Sequence, residues 1–144
     1  MLRQRGSTLL ELVTVMAVVA IFAAIAVPSA AHVSSVVSGA EGARRLALVL
    51  RAAQAEAQSR GAALQVEVGA AGDYEVTAGG ARLMSGRLGA PVTSTYPEGV
   101  IEFSDRGWAS VPGSASPRAG HFSVQGVGGA VTVVVQLSGC VRCG

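Results

Sequence analysis

The apolar positions of this chain follow two rhythms and one unbroken run, and each predicts a different element. Residues 12–27 read LVTVMAVVAIFAAIAV, sixteen positions without a charge, and the uncharged stretch continues past Pro28 until Glu41. A straight helix over residues 9–31 would run about 34 Å, enough to cross a hydrocarbon core of about 30 Å. Arg3 and Arg5 precede the run. The excess of positive charge therefore predicts a single span with its N-terminus cytoplasmic and the rest of the chain outside. Beyond it, Ala43, Leu46, Ala47, Leu50, Ala53 and Ala57 recur in steps of three and four, one apolar stripe on a continuing helix. Arg44, Arg45, Arg51, Gln54, Glu56, Gln58 and Arg60 fill most of the other faces and predict a solvated surface, with Gly61 placed to cap the end. Gly39 and Gly42 each cost a helix up to about 1 kcal/mol relative to Ala, so local melting is expected near them.

After Gly61 the period falls to two. Ala63-Leu64-Gln65-Val66-Glu67-Val68 alternates, Ala71-Gly72-Asp73 turns, and Tyr74-Glu75-Val76-Thr77 alternates again, which predicts a hairpin. From Gly79 to Pro97 the pattern loosens, with Arg82-Leu83 and Pro91-Val92 as weak strand candidates. Val100-Ile101-Glu102-Phe103 reads as a strand closed by the turn Ser104-Asp105-Arg106-Gly107, and residues 111–120 read as a loop. Two last strands, 120–124 and 130–137, are joined through Gly126-Val127-Gly128-Gly129. The fold class is α+β: a long N-terminal helix, membrane-spanning in its first half, packed on a small antiparallel sheet. No internal repeat is evident.

Composition narrows the classes. The chain has 144 residues and a mass of 14.4 kDa, room for one domain and a tail. Half the residues are hydrophobic and only 14% are charged, which excludes a disordered or nucleic-acid-coating chain. The formal charge is +2, and Arg3 and Arg5 account for both positives. The remainder is neutral, so no bulk attraction to nucleic acid is encoded.

Two processing routes compete at the N-terminus. Ser29-Ala30-Ala31 could end an ordinary signal peptide and release a soluble protein starting near His32. Glu11 opposes that route. A charge deep in a membrane helix costs about 2.5–3.5 kcal/mol on insertion scales, and a discarded peptide has no use for it. An interfacial acid snorkelling to headgroups is the plain alternative for Glu11.

The string Arg5-Gly6-Ser7-Thr8-Leu9-Leu10-Glu11-Leu12, followed by the apolar run and Pro28, resembles the class III leader of type IV prepilins. The resemblance implies cleavage after Gly6 by a membrane prepilin peptidase and N-methylation of Ser7. It makes Glu11 the acidic fifth residue of the mature chain and Pro28 the proline partway along the helix. Ser7 departs from the Phe usual at its position. The physics agrees with the motif: cleavage frees the Ser7 amine, which could pair with Glu11 of a neighbouring subunit. Stripping one partner from a buried ion pair costs about 3–5 kcal/mol.

Further along, Arg51-Ala52-Ala53-Gln54-Ala55-Glu56-Ala57-Gln58-Ser59-Arg60-Gly61 is similar to the helix end of GspH/FimT-type pseudopilins. The stretch from Val100 to Gly107, IEFSDRG in its body, is similar to that family's turn, and the last strand ending at Ser138-Gly139 fits its closing pattern. The organisation implied is a leader over residues 1–6, a helix over 7–61 and an extracytoplasmic β domain over 62–144. The function implied is a minor subunit of a type II secretion pseudopilus or type IV pilus, which primes or caps the fibre. Its partners would be other pilins or pseudopilins, the prepilin peptidase, the inner-membrane assembly platform and membrane lipid. Its place would be the bacterial inner membrane, single-pass, and then an extracytoplasmic fibre.

The alternative function is a DNA-binding or adhesive tip pilin. Some members of the family contact DNA through a Gly-Arg-x-Arg motif; here the stretch reads Gly139-Cys140-Val141-Arg142, and only Arg142 matches. Phosphate affinity scales with the number of such contacts, so one Arg implies little.

Cys140 and Cys143 close the chain as a CxxC pair. Outside the membrane oxidation is favoured, and a disulfide between them is expected to tie the tail. Two thiols with His121 fall short of four zinc ligands, so neither a metal nor another cofactor is expected. Ser104, Asp105 and His121 could be imagined as a triad, but their strands impose no meeting, and an enzyme is not expected.

Overall fold

The computed structural model describes the backbone of residues 9–126 and 128–144, and the side chains of residues 12–20, 39–126 and 128–144. Helix α1 runs Leu9–Arg60, and the chain divides into two compact units, 1–34 and 35–144. In the first unit the described residues, 9–34, are helical.

The second unit begins on α1 and carries nine strands. They are β1 (Leu64–Val68), β2 (Asp73–Ala78), β3 (Ala81–Arg87), β4 (Val92–Ser94), β5 (Val100–Phe103), β6 (Ala109–Ser110), β7 (Gly120–Gly126), β8 (Gly129–Val135) and β9 (Val141–Cys143). They form two sheets where the sequence pattern suggested one. The first has the order β3-β2-β1-β5-β6 and the second β4-β7-β8-β9, with every pairing antiparallel. The weak candidates at Arg82-Leu83 and Pro91-Val92 fall on β3 and at the start of β4. The two-residue β6 and three-residue β9 are too short to leave a periodic signal.

The apolar stripe of α1 supplies one wall of the core. Ala43, Leu46, Ala47, Leu50, Ala53 and Ala57 are all buried, as is Val49. Leu64, Val66 and Val68 alternate inward along β1, Ile101 and Phe103 along β5, Phe122 and Val124 along β7, and Val133 and Val135 along β8. With so few aromatics, the core depends on close approach between backbones. Tyr96 and Phe122 are an exception, stacked with ring centroids 5.4 Å apart.

At Gly39 and Gly42 α1 packs closely on the end of β7 and on the loop after β3, and the expected melting there is not seen. Both are helical and buried. A Cβ on Gly39 would lie 2.9 Å from the Gly126 Cα, and one on Gly42 would lie 2.9 Å from the Leu88 carbonyl oxygen. Packing gained through the missing methyl groups offsets their poor helix propensity. At the other end the Ala62 N–H reaches the Ala57 carbonyl (3.2 Å) and the Gly61 N–H reaches Gln58 (3.4 Å), the paired bonds of a glycine C-cap.

Candidate functional site

Gly6 and Ser7, the predicted cleavage and methylation positions, lie outside the described residues. Glu11 and Pro28 lie within α1, but their side chains are also outside the described set. Between them, Leu12, Val13, Val15, Met16, Val18 and Val19 are described, each between 51% and 65% exposed. A contiguous apolar stretch of that kind calls for a lipid or protein partner. Among the described residues no helix is long and apolar enough to cross a membrane, and side chains 21–31 of the predicted span lie outside them.

In the second unit, the polar residues beside the helix stripe do more than face solvent. Gln54 donates from its Nε2 to the carbonyls of Gly107 (2.9 Å) and Ser138 (3.2 Å). Gln58 donates to the Arg106 carbonyl (3.2 Å), and Arg51 to the Val141 carbonyl (2.9 Å). Arg51 holds the first residue of β9, and Gln54 and Gln58 hold two turns against α1. The first, after β5, is closed by the Gly107 N–H on the Ser104 carbonyl (2.8 Å) and by the Trp108 N–H on the Ser104 hydroxyl (3.1 Å). The second, after β8, is closed by the Gly139 N–H on the Gln136 carbonyl (2.8 Å). Gly139 has φ +78°, and a Cβ there would overlap the Gly107 carbonyl. Sequence reasoning took Arg51, Gln54 and Gln58 for a solvated face; their reach across to loop carbonyls depends on contacts remote in sequence.

Trp108 and Leu137, one from each turn, stand about half exposed and line an open apolar cleft of about 360 Å³ with Pro117 and Ser138. An exposed Trp inside a polar turn was the available signal for this patch.

The tail departs from expectation. Cys140 and Cys143 are both free thiols, so the predicted disulfide is absent. The reason is strand geometry. Residues three apart in an extended chain are separated by about 10 Å at about 3.3 Å per residue, whereas a disulfide holds its Cα atoms about 4.4–6.8 Å apart. The Cys143 thiol instead donates to the Ala43 carbonyl at 3.6 Å. Arg142 is exposed on β9, opposite Val134.

Ser104, Asp105 and His121 are not brought together. Ser104 accepts the Trp108 N–H in the first sheet, and His121 is exposed on β7 in the second. Among the described residues no cluster of His, Cys, Asp or Glu could hold a metal. Burial pushes the Tyr96 phenol up to about 12, with Arg118 opposing, and its hydroxyl donates to the Arg118 carbonyl at 3.2 Å, a structural arrangement.

A helix whose apolar stripe docks on antiparallel sheets, with an exposed apolar stretch toward its start, defines a pilin-like α+β protein. Residues 1–27 match the family model described as the prokaryotic N-terminal methylation motif. The fold is similar to that of the type IV minor pilin FimU of Pseudomonas aeruginosa strain PAO1, at 17% identity and a TM-score of 0.62, covering 74% of this chain and 87% of that one. It is similar also to the minor pseudopilin EpsH of the Vibrio cholerae type 2 secretion system, at 14% identity and a TM-score of 0.56, covering 74% of this chain and 95% of that one. No curated protein matches the chain in sequence. The resemblance drawn from the leader is borne out by the motif, and the expected pilin-like α+β fold by the structural likeness.

Proposed function

We propose that this chain is a minor pilin or pseudopilin, a structural fibre subunit and not an enzyme. The observation that carries the reading is the methylation motif over residues 1–27 on a chain with a pilin-like fold. In this reading a prepilin peptidase cuts after Gly6 on the cytoplasmic side and Ser7 is methylated. The apolar residues of α1 anchor the subunit in the inner membrane, N-in and C-out, until the assembly platform moves it into a fibre with other pilins. There it primes or caps the fibre.

Glu11 carries the mechanism. Its carboxylate is costly in a bilayer while ionised, and the amine freed at Ser7 of a neighbour is the cation nearest to hand on the mature segment, which has no Lys or Arg before Arg44. Mass spectrometry of the mature protein should find an N-methylated Ser7; a first residue at His32 would mean a secreted soluble protein instead. Glu11→Gln keeps the shape and deletes the charge. The variant should be processed and membrane-resident, yet recovered about tenfold less with its partner pilins. That loss corresponds to about 1.4 kcal/mol, a fraction of what a buried pair can contribute. Undiminished recovery would reduce Glu11 to an interfacial acid.

A further inference from the structure

The C-terminal residues form a strap across the edge of the second sheet. Val141, Arg142 and Cys143 pair with Val135, Val134 and Val133 of β8. The ladder continues on both sides, through the Gln136 N–H on the Cys140 carbonyl (3.0 Å) and the Gly144 N–H on the Thr132 carbonyl (2.9 Å). Val141 closes over the core, and the Arg51 guanidinium holds its carbonyl at 2.9 Å. So held, Cys140 and Cys143 sit on extended backbone that sets their Cα atoms about 10 Å apart. A disulfide between residues i and i+3 needs a turn that brings their Cα atoms within about 7 Å. Such a turn cannot keep its hydrogen bonds to β8. Strand β9 and a Cys140–Cys143 bond are therefore mutually exclusive arrangements of the same four residues.

The thiols also differ. Cys143 is engaged with the Ala43 carbonyl, whereas Cys140 is exposed at the end of the turn, with no side-chain partner among the described residues.

We propose that Cys140 and Cys143 are a redox site for a disulfide-bearing partner, and that oxidation releases β9 from β8. The Cys140 thiolate attacks one sulfur of the partner disulfide, whose S–S bond breaks. One partner thiol leaves with the proton that Cys140 gave up, and a mixed disulfide remains. When β9 comes off, the Cys143 thiolate attacks the Cys140 sulfur and expels the second partner thiol, which takes the Cys143 proton. Two protein thiols have lost two electrons, and the partner disulfide has become two thiols. The released edge of β8 is then open to another strand. This chemistry is independent of the fibre role.

The test uses the full chain in detergent micelles with glutathione disulfide as the oxidant. The expected course is a mixed disulfide on Cys140, then a bridge within the chain. Amide protection at Val134, Gln136, Arg142 and Gly144, whose N–H groups lie on the β8–β9 ladder, should fall about tenfold or more as the bridge forms. Cys143→Ser should stop at the mixed disulfide. Arg51→Gln, which loosens the strap, should speed closure by about tenfold. A bridge formed with undiminished protection overturns the proposal, as does a closure rate unmoved by Arg51→Gln. Faster glutathionylation of Cys143 in Cys140→Ser than of Cys140 in Cys143→Ser overturns it too. So does a wild-type mixed disulfide that never resolves, or a bridge formed only between chains.

Discussion

Glu98 has φ +55°, a left-handed backbone in the turn Pro97–Gly99, and it is the one non-glycine residue with positive φ among those described. A Cβ in that region costs about 1–2 kcal/mol, and glycine's extra chain entropy returns part of the gain. Glu98→Gly should raise stability by about 0.5–1 kcal/mol in thermal or urea unfolding. A lower midpoint would mean that the carboxylate makes a compensating contact. The adjacent Tyr96 gives a pH signature. Its phenol is raised from 10.0 to about 12 by burial, so the folded chain holds the proton more tightly than the unfolded chain. That stability is fully present below pH 10 and is lost as pH rises through 12. Tyr96→Phe should cost about 1 kcal/mol at neutral pH, because the Arg118 carbonyl loses its donor, and should flatten the alkaline decline. A decline just as steep in Tyr96→Phe would assign it to another group. Neither effect was legible in the sequence: Tyr-Pro-Glu-Gly marks a turn, but only the ring's place beside Phe122 shows that the phenol is buried.

On the scale of the element, α1 sets propensity against packing at Gly42. Propensity alone says that Gly42→Ala should gain up to about 1 kcal/mol. The added Cβ, however, would meet the Leu88 carbonyl oxygen at 2.9 Å and Val124 Cγ1 at 3.2 Å. Overpacking a fitted core costs about 1–3 kcal/mol, so the expected net is a loss of about 1 kcal/mol in unfolding free energy. A gain would show that α1 can shift outward freely. The helix stripe and the alternation of β1 were readable because burial imposes their own periods on the sequence. Strand β3 was faint for the converse reason: as a sheet edge with exposed residues from Ala81 to Ser85, it needs no such alternation. Of the second sheet, β7 and β8 were legible as the last strand pair, whereas β4 was faint and β9 unread, because both are defined by the strands they pair with and not by their own residues.

For the whole molecule, Gln54 is the point where helix, first-sheet turn and second-sheet turn meet. The Ala109 N–H on the Leu137 carbonyl (3.3 Å) adds a direct tie between the same two regions. Gln54→Ala should cost about 1–2 kcal/mol and raise amide exchange in residues 104–108 and 136–139 together. A rise in only one turn would mean that the two are held independently. The exposed half-helix from Leu12 to Val19 and the docked half from Ala43 to Ala57 obey different demands, and the sequence alone determined both. An uncharged run must leave water, and a three-four stripe must face a core. The leader motif was legible in the sequence too, since Gly6, Ser7 and Glu11 are close enough along the chain to be read together, and residues 1–27 match the methylation-motif model. Only the tertiary structure decided where Arg51, Gln54 and Gln58 reach, that there are two sheets, and that Cys140 and Cys143 stay apart. Those outcomes depend on groups 48 to 90 residues distant from the helix and on backbone extension within four residues, and neither leaves a local pattern.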